Sequence, residues 1–101
     1  MEEITVEQLN HDFIKPNTIL IDVRTKDEFE QGHIENSKNL VLQEIQAWGS
    51  QLDPSKEYVM ICRSGNRSGL ACEMLSSAGF KCFNLDGGVI AWVQKGNKLI
   101  Q

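Results

Sequence analysis

Residues 58–78 read YVMICRSGNRSGLACEMLSSA, and this stretch decides the fold. Its first four residues are apolar, as expected of a buried strand, and residues 68–78 have the apolar periodicity of a helix. Between them lies the short turn CRSGNRS, residues 62–68. A strand, a short turn and a helix in succession form the repeating unit of an α/β domain with a largely parallel sheet.

The first residue of the turn, Cys62, occupies a place that stabilises an anion. Backbone N–H groups of such a turn can point inward, and the N-terminus of the following helix adds positive potential. Arg63 and Arg67 add fixed positive charge. Surroundings of this kind lower a cysteine pKa from about 8.5 to roughly 3.5–7.5, and the thiolate is the nucleophilic form. Cys62 is therefore predicted to be a reactive nucleophile rather than a buried structural thiol.

Magnitudes indicate which groups would lower the pKa of Cys62. A shift of about 2 units requires about 2.7 kcal/mol, whereas a helix terminus supplies only about 0.3–1 kcal/mol. The remainder must come from several loop amides and from the two arginines. Gly65 is expected to give the turn the positive φ that other residues avoid. Cys72, inside the helix, and Cys82, inside a later strand, are expected to be core residues.

The rest of the chain alternates between strand and helix patterns. Strands are predicted at residues 18–21, 38–41, 57–61 and 80–85, with a short extended piece at Ile4. Thr5 with Gln8 and Thr25 with Glu28 have capping-box spacing, which predicts two helix starts. Further helices are predicted at residues 42–48, 68–78 and 89–93, and residues 94–101 are expected to fray. The apolar positions predicted to face the core are Val6, Leu9 and Phe13 in the first helix, and Leu70, Ala71, Met74, Leu75 and Ala78 in the helix after the turn.

Several short blocks occur in one order along the chain. They are IDVR at 21–24, EF at 28–29, GHI at 32–34, CRSGNRS at 62–68, LDGG at 85–88, and Trp92. Together they resemble the single-domain rhodaneses, or thiosulfate sulfurtransferases, over nearly the whole chain. The resemblance implies an α/β, three-layer fold whose central, largely parallel five-stranded sheet is flanked by helices. It also implies sulfur transfer through a persulfide on Cys62, with a small anionic donor and a thiol acceptor, which can be a protein thiol.

The resemblance and the local pattern suggest roles for the remaining site residues. The active loop is expected to bind substrate, with its arginines neutralising donor oxygens; its residues after the nucleophile are Arg63, Ser64, Gly65, Asn66, Arg67 and Ser68. Asp22 could brace this loop or only satisfy local backbone groups, and Arg24 could pair with Glu28. Gly87 and Gly88 would permit close approach of two backbones. His33 is interpreted as structural, with its ring bonded to backbone, and Trp92 as a core anchor.

Loop length separates two reaction classes within this fold. Four residues stand between Cys62 and Arg67. The related dual-specificity phosphatases use one residue more, and a larger ring suits phosphate. The tighter ring resembles the sulfurtransferase form, so a phosphatase or arsenate-handling enzyme is a weaker alternative. A non-enzymatic persulfide carrier or redox-sensing module stays open.

Composition bounds the remaining possibilities. The chain has 101 residues, enough for one domain over residues 1–101, and a formal net charge of -4. No basic stripe favours nucleic acid, no apolar run is long enough for a membrane span, and the start has no signal-peptide pattern. Three cysteines without a C-x-x-C pair favour neither disulfides nor zinc. We expect a cytoplasmic monomer that uses no cofactor and no metal.

Overall fold

The protein, described by a computed structural model over residues 2–10 and 16–101, is built on one parallel sheet. Its five strands lie in the order β1-β5-β4-β2-β3, and every neighbouring pair is parallel. The predicted α/β class with a largely parallel sheet is confirmed. The strands are β1 (Glu2–Ile4), β2 (Thr18–Asp22), β3 (Lys38–Asn39), β4 (Glu57–Ile61) and β5 (Lys81–Leu85).

The apolar residues of β4 are buried because both faces of the sheet are covered, whereas of the strand predicted at residues 38–41 only Lys38–Asn39 forms, and it is not buried. Val59 and Ile61 of β4 belong to one hydrophobic cluster, while Tyr58 and Met60 belong to a second. Side chains alternate between the faces of a strand, so each face of β4 contributes to its own core. A parallel sheet covered in this way needs near-continuous apolar strands, as this sequence has.

Helices connect the strands, and two of them begin at the residues that the capping-box spacing predicted. Thr5 and Thr25 each form a complete capping box, with Gln8 and Glu28 respectively. Pro16 and Asn17 form a turn before β2. Phe13, assigned to the first apolar stripe, lies outside the described residues. The helices are α1 (Val6–Gln8), α2 (Lys26–Gln31), α3 (Ile45–Gly49), α4 (Asn66–Ser77) and α5 (Gly88–Gln94), and a 3₁₀ turn at Leu42–Glu44 precedes α3.

The apolar face predicted for α4 is partly wrong. Leu70 and Met74 are exposed, by 52% and 40%, and Ala78 is exposed after the helix has ended. The stripe that packs on the sheet is polar in part, since it comprises Ser68, Ala71, Cys72 and Leu75. These positions repeat at helical spacing and lie one residue out of phase with the face predicted from apolar residues alone.

The prediction that residues 94–101 fray is also wrong. Ile100 and His33 exchange two backbone hydrogen bonds of 2.9 Å each. The indole N–H of Trp92, which is buried as predicted, donates to the carbonyl of Lys98 at 3.1 Å. Leu99 packs against the core cluster that contains Val59. Backbone pairing and one apolar anchor therefore hold a segment whose polar composition suggested a loose tail.

Among the described residues, no helix has both the length and the apolar character that a bilayer crossing requires.

Candidate active site

Cys62 lies directly after β4, with 1% of its surface exposed. The N–H of Gly65 donates to its sulfur at 3.1 Å, and the hydroxyl of Ser68 lies 3.2 Å from the same atom. The backbone N–H groups of Ser64 and Ser68 also favour the charged form of this sulfur and lower the pKa of Cys62. The loop therefore curls around Sγ as a ring of donors, as the sequence predicted.

Two opposing effects act on the pKa of Cys62. Burial raises it, because a charged sulfur loses solvation. The hydroxyl and amide of Ser68, with the amides of Gly65 and Ser64, favour the thiolate and outweigh burial. The pKa therefore lies below the ordinary value for a thiol, and hydrogen bonds rather than exposure cause the shift. A thiolate that is stabilised in this way needs no general base to become nucleophilic.

Glycines shape the loop and bring α5 against it. Gly65 has φ of +107°, a left-handed conformation that other residues avoid. Gly88, with φ of +56°, lies so close that a Cβ there would overlap the carbonyl oxygens of Cys62 and Arg63. The N–H groups of Val89 and Ile90 donate to these same two carbonyls, at 2.9 and 3.1 Å. The predicted close approach of two backbones is thus confirmed at Gly88, whereas a Cβ at Gly87 would meet Ala91 of α5 itself. Helix α5 is hydrogen-bonded to the start of the loop.

Arg67 is held by a partner that the sequence analysis assigned elsewhere. Its guanidinium forms a bidentate pair with Glu28, at 2.7 and 2.9 Å. The hydrogen bond from Arg67 lowers the pKa of Glu28 to about 2. The predicted pairing of Arg24 with Glu28 is therefore wrong, because Glu28 turns towards α4. Capping-box spacing identified Glu28 as a cap, but no local pattern signals a partner 39 residues away.

Asp22 and Arg24 pair with each other instead. Asp22 accepts from the backbone N–H, Nε and Nη2 of Arg24 at 2.8–3.0 Å, and both side chains are buried. Nη2 of Arg24 also donates to the carbonyl of Gly32 at 2.7 Å. The pair ties the end of β2 to the end of α2. This geometry agrees with the local role considered for Asp22.

Asn84 is a site residue that sequence reasoning missed. It is 2% exposed on β5, and its Nδ2 donates to the carbonyl of Gly65 at 3.0 Å and to Glu3 at 3.2 Å. Its Oδ1 accepts from the hydroxyl of Ser68 at 2.5 Å. One amide therefore anchors both residues whose groups contact the sulfur of Cys62. A lone polar residue in an apolar strand, just before Asp86 and the glycine pair, was the available signal.

The other predicted loop residues lie at the surface. Ser64 is exposed and Asn66 begins α4, while Arg63 is exposed beside α5. Within residues 2–10 and 16–101, no carboxylate forms an ion pair with Arg63, in contrast to Arg67. Of the two loop arginines, Arg63 is thus the one whose charge is not compensated by an acidic partner.

Cys72, Cys82 and His33 have the structural settings predicted for them. Both cysteines are buried and reduced. A hydrogen bond with Cys72, and then burial, raises the pKa of Cys82, opposite to the direction found for Cys62. The ring of His33 stacks on Phe29 at 3.7 Å, and its Nδ1 lies 2.8 Å from the carbonyl of the same residue. These contacts give the imidazole ring of His33 and the thiols of Cys72 and Cys82 a packing role.

A parallel sheet with a cysteine loop at the carboxyl end of a central strand is the arrangement of a rhodanese-type domain. The chain belongs to this family, since residues 5–95 match the Rhodanese-like domain. The fold agrees with a rhodanese-related protein of Thermoplasma volcanium, with a TM-score of 0.91 and 30% identity, covering 99% of this chain and 98% of that one.

Two bacterial relatives carry sulfurtransferase names. YtwF of Bacillus subtilis (strain 168), provisionally named a sulfurtransferase, is 44% identical over 73 residues, which are 72% of this chain and 71% of that protein. A protein of Allochromatium vinosum named sulfurtransferase is 35% identical over 85 residues, covering 83% of this chain and 79% of that one. These relatives support a sulfurtransferase role for this chain.

Proposed function

We propose that this protein transfers sulfane sulfur through a persulfide on Cys62. In the first half-reaction the thiolate attacks the outer sulfur of thiosulfate, a new S–S bond forms, and sulfite leaves with the electron pair of the broken bond. In the second half-reaction an acceptor such as cyanide or a thiol attacks the outer sulfur of the persulfide. Cys62 then departs as a thiolate, so the cycle is ping-pong and has no net redox change at the protein.

One observation carries the proposal: several donors converge on a single buried sulfur. The N–H of Gly65 at 3.1 Å and the hydroxyl of Ser68 at 3.2 Å stabilise the thiolate that attacks and, later, the thiolate that leaves. Preorganised donors of this kind stabilise developing charge without reorganisation during the reaction. The loop thus serves both half-reactions with the same groups. No cofactor or metal takes part in this scheme.

The two loop arginines have unequal roles in the proposed reaction. Arg63 is exposed and has no acidic partner among the described residues, so it is placed to neutralise donor oxygens and departing sulfite. The charge of Arg67 is already balanced by the carboxylate of Glu28. Arg67 therefore serves mainly to position the loop, whereas the sequence analysis assigned both arginines to the donor oxygens and to lowering the pKa of Cys62.

Substitution of Cys62 tests the proposal directly. Cys62→Ser should abolish thiosulfate:cyanide turnover, because a hydroxyl at its ordinary pKa is a poor nucleophile and forms no persulfide. Cys72→Ala should keep turnover and lose only some stability, by lost packing. Steady-state thiocyanate formation measures both variants, with circular dichroism to verify folding.

The same assay separates an enzyme from a carrier. A carrier would take up one sulfur on Cys62 and show no multiple turnover with small donors and acceptors. Substantial turnover in folded Cys62→Ser would contradict the assignment of the nucleophile. We place the reaction in a cytoplasmic monomer, with a thiol of a small molecule or a protein as the cellular acceptor.

A further inference from the structure

A cavity of about 650 Å³ opens beside the active loop. The end of α2 lines it with Gln31 and Gly32, α5 lines it with Ile90 and Val93, and Leu99 of the C-terminal segment adds a further side. Arg63 lines its end at the active loop. This volume lies within the roughly 300–1,000 Å³ typical of small-molecule sites.

The wall contributed by α5 is apolar and open to solvent. Ile90 is 41% exposed and Val93 is 49% exposed, and both are among the large apolar side chains that the fold leaves uncovered. Covering such surface with an apolar ligand is favourable in free energy, roughly in proportion to the apolar area removed from water. The cavity therefore favours a ligand with an apolar body.

Three charged side chains line the cavity, and two of them form ion pairs within the protein. The carboxylate of Glu28 is paired with Arg67, and the guanidinium of Arg24 is paired with Asp22. Arg63 forms no ion pair within the described part of the chain. The cavity thus presents an uncompensated positive charge next to the nucleophile and an apolar surface farther along α5.

The cavity and the nucleophile are fixed relative to each other. The N–H of Val89 donates to the carbonyl of Cys62 at 2.9 Å, and the N–H of Ile90 donates to the carbonyl of Arg63 at 3.1 Å. The α5 wall is therefore attached to the loop backbone at the residue that carries the sulfur. A ligand seated against α5 would therefore contact an element whose backbone is fixed to that of Cys62. Fixed relative positions favour transfer between two bound groups.

We propose that this cavity binds the sulfur acceptor, and that the acceptor is a low-molecular-weight thiol with a carboxylate near its sulfur and an apolar body beyond it. The carboxylate pairs with Arg63, and the apolar body lies against Ile90 and Val93. The inference rests on the proposed sulfurtransferase function. Arg63 can serve donor and acceptor in turn, because sulfite leaves before the acceptor enters in a ping-pong cycle.

The transfer step balances without an added oxidant or reductant. The acceptor thiolate attacks the outer sulfur of the Cys62 persulfide and forms a new S–S bond. The inner S–S bond breaks, and its electron pair returns to Cys62, whose thiolate is again held by Gly65 and Ser68. The outer sulfur and its proton leave on the acceptor as a new persulfide.

A series of N-acyl-cysteines, from N-acetyl to N-hexanoyl, tests the proposal with thiosulfate as donor. Full burial of a methylene would raise kcat/KM about fourfold, and about twofold is expected in a half-open cleft. N-acyl-cysteamines of equal chain length lack the carboxylate. They should be about tenfold poorer at every length, as expected for loss of a charged hydrogen bond.

Two variants with matched exposure supply the control. Ile90→Ser removes apolar surface from the cavity and should flatten the dependence on chain length. Met74→Ser alters a residue of α4 that is 40% exposed, against 41% for Ile90, and lies outside this cavity, so it should keep that dependence. Circular dichroism verifies that both variants fold.

Turnover with thiosulfate and cyanide shows whether the acceptor proposal fails alone or together with the sulfurtransferase proposal. If wild-type protein turns over with cyanide but is insensitive to acyl length, the acceptor proposal is overturned and the sulfurtransferase proposal stands. If both variants flatten the dependence equally, the cavity is not the site and the proposal is likewise overturned. If cyanide gives no turnover, both proposals fall together.

Discussion

At the scale of single residues, the chemistry depends on how many donors reach one sulfur. The hydroxyl of Ser68 has one proton but two acceptors within reach, Sγ of Cys62 at 3.2 Å and Oδ1 of Asn84 at 2.5 Å. In the thiol state Ser68 can donate to Asn84 and accept the S–H of Cys62. In the thiolate state the same hydroxyl can donate to sulfur. Ser68 therefore links ionisation of the nucleophile to a buried amide on β5.

Removal of the Ser68 hydroxyl should raise the pKa of Cys62. Since hydrogen bonds to the thiolate hold this pKa below its ordinary value, their loss moves formation of the thiolate to higher pH. A hydrogen bond to a charged group, shared here with Asn84, should be worth about one pH unit. The pH profile of Cys62 alkylation by iodoacetamide, followed on its peptide by mass spectrometry, measures the shift in Ser68→Ala.

Ser77→Ala is the control for this prediction, because Ser77 lies exposed at the last position of the same helix. The alkylation profile of Ser77→Ala should match that of the unaltered protein. An unchanged profile in folded Ser68→Ala would mean that the loop amides alone stabilise the thiolate.

Local signals at the residue scale were sufficient for the nucleophile and insufficient for its supports. The positive φ of Gly65 and the donors around Cys62 follow from a glycine turn between strand and helix. The contact of Glu28 with Arg67 spans 39 positions, and that of Asn84 with Glu3 spans 81. Nothing in the local sequence encodes such pairings, because they arise only when the chain has folded: Glu3 and Asn84 are opposite each other in β1 and β5, and Glu28 and Arg67 lie on α2 and α4.

At the scale of secondary-structure elements, the site depends on how closely α5 approaches the active loop. Gly88 permits that approach: a Cβ there would overlap the carbonyl oxygen of Cys62 and lie 2.6 Å from that of Arg63. Gly79, after α4, also has a positive φ, yet a Cβ there would meet nothing within 4 Å. Comparison of Gly88 with Gly79 therefore distinguishes the effect of a positive φ from the effect of steric overlap.

Gly88→Ala should therefore cost more stability than Gly79→Ala. The left-handed conformation alone costs roughly 1–2 kcal/mol in either variant, and overlap with the loop should add about 1–3 kcal/mol at Gly88. Urea unfolding of the two variants measures the difference. Equal losses in the free energy of unfolding would mean that α5 can move away from the loop without cost.

Strand and helix positions were largely predictable, whereas the buried face of α4 was not. Caps and apolar runs depend on neighbours in sequence, which explains the correct starts at Thr5 and Thr25. On α4, Ser68 is buried because its hydroxyl has partners in Cys62 and Asn84, while Leu70 stays exposed. The positions of apolar residues alone could not identify the buried face of α4, because the first turn of this helix contacts the active site through the polar side chain of Ser68.

At the scale of the whole molecule, a protein of net charge -4 leaves Arg63, which has no acidic partner among the described residues, at the edge of the sheet where we propose that the anionic donor binds. The carboxyl ends of β2 and β4 are in register at Asp22 and Ile61, so the residues that follow these strands meet at one edge of the sheet. Parallel sheets bind ligands at this edge. The C-terminal segment, held through Ile100 and Leu99, adds a wall to the cavity beside it.

The central claim is that Cys62 carries the transferred sulfur, and intact-protein mass spectrometry tests it most directly. The protein should be incubated with thiosulfate, freed of excess donor, weighed, and then treated with cyanide. We predict the mass of one added sulfur atom, located on the Cys62 peptide and absent in Cys62→Ser, that disappears as an equal amount of thiocyanate forms. No adduct, or an adduct on Cys72 or Cys82 that cyanide discharges, would contradict the account.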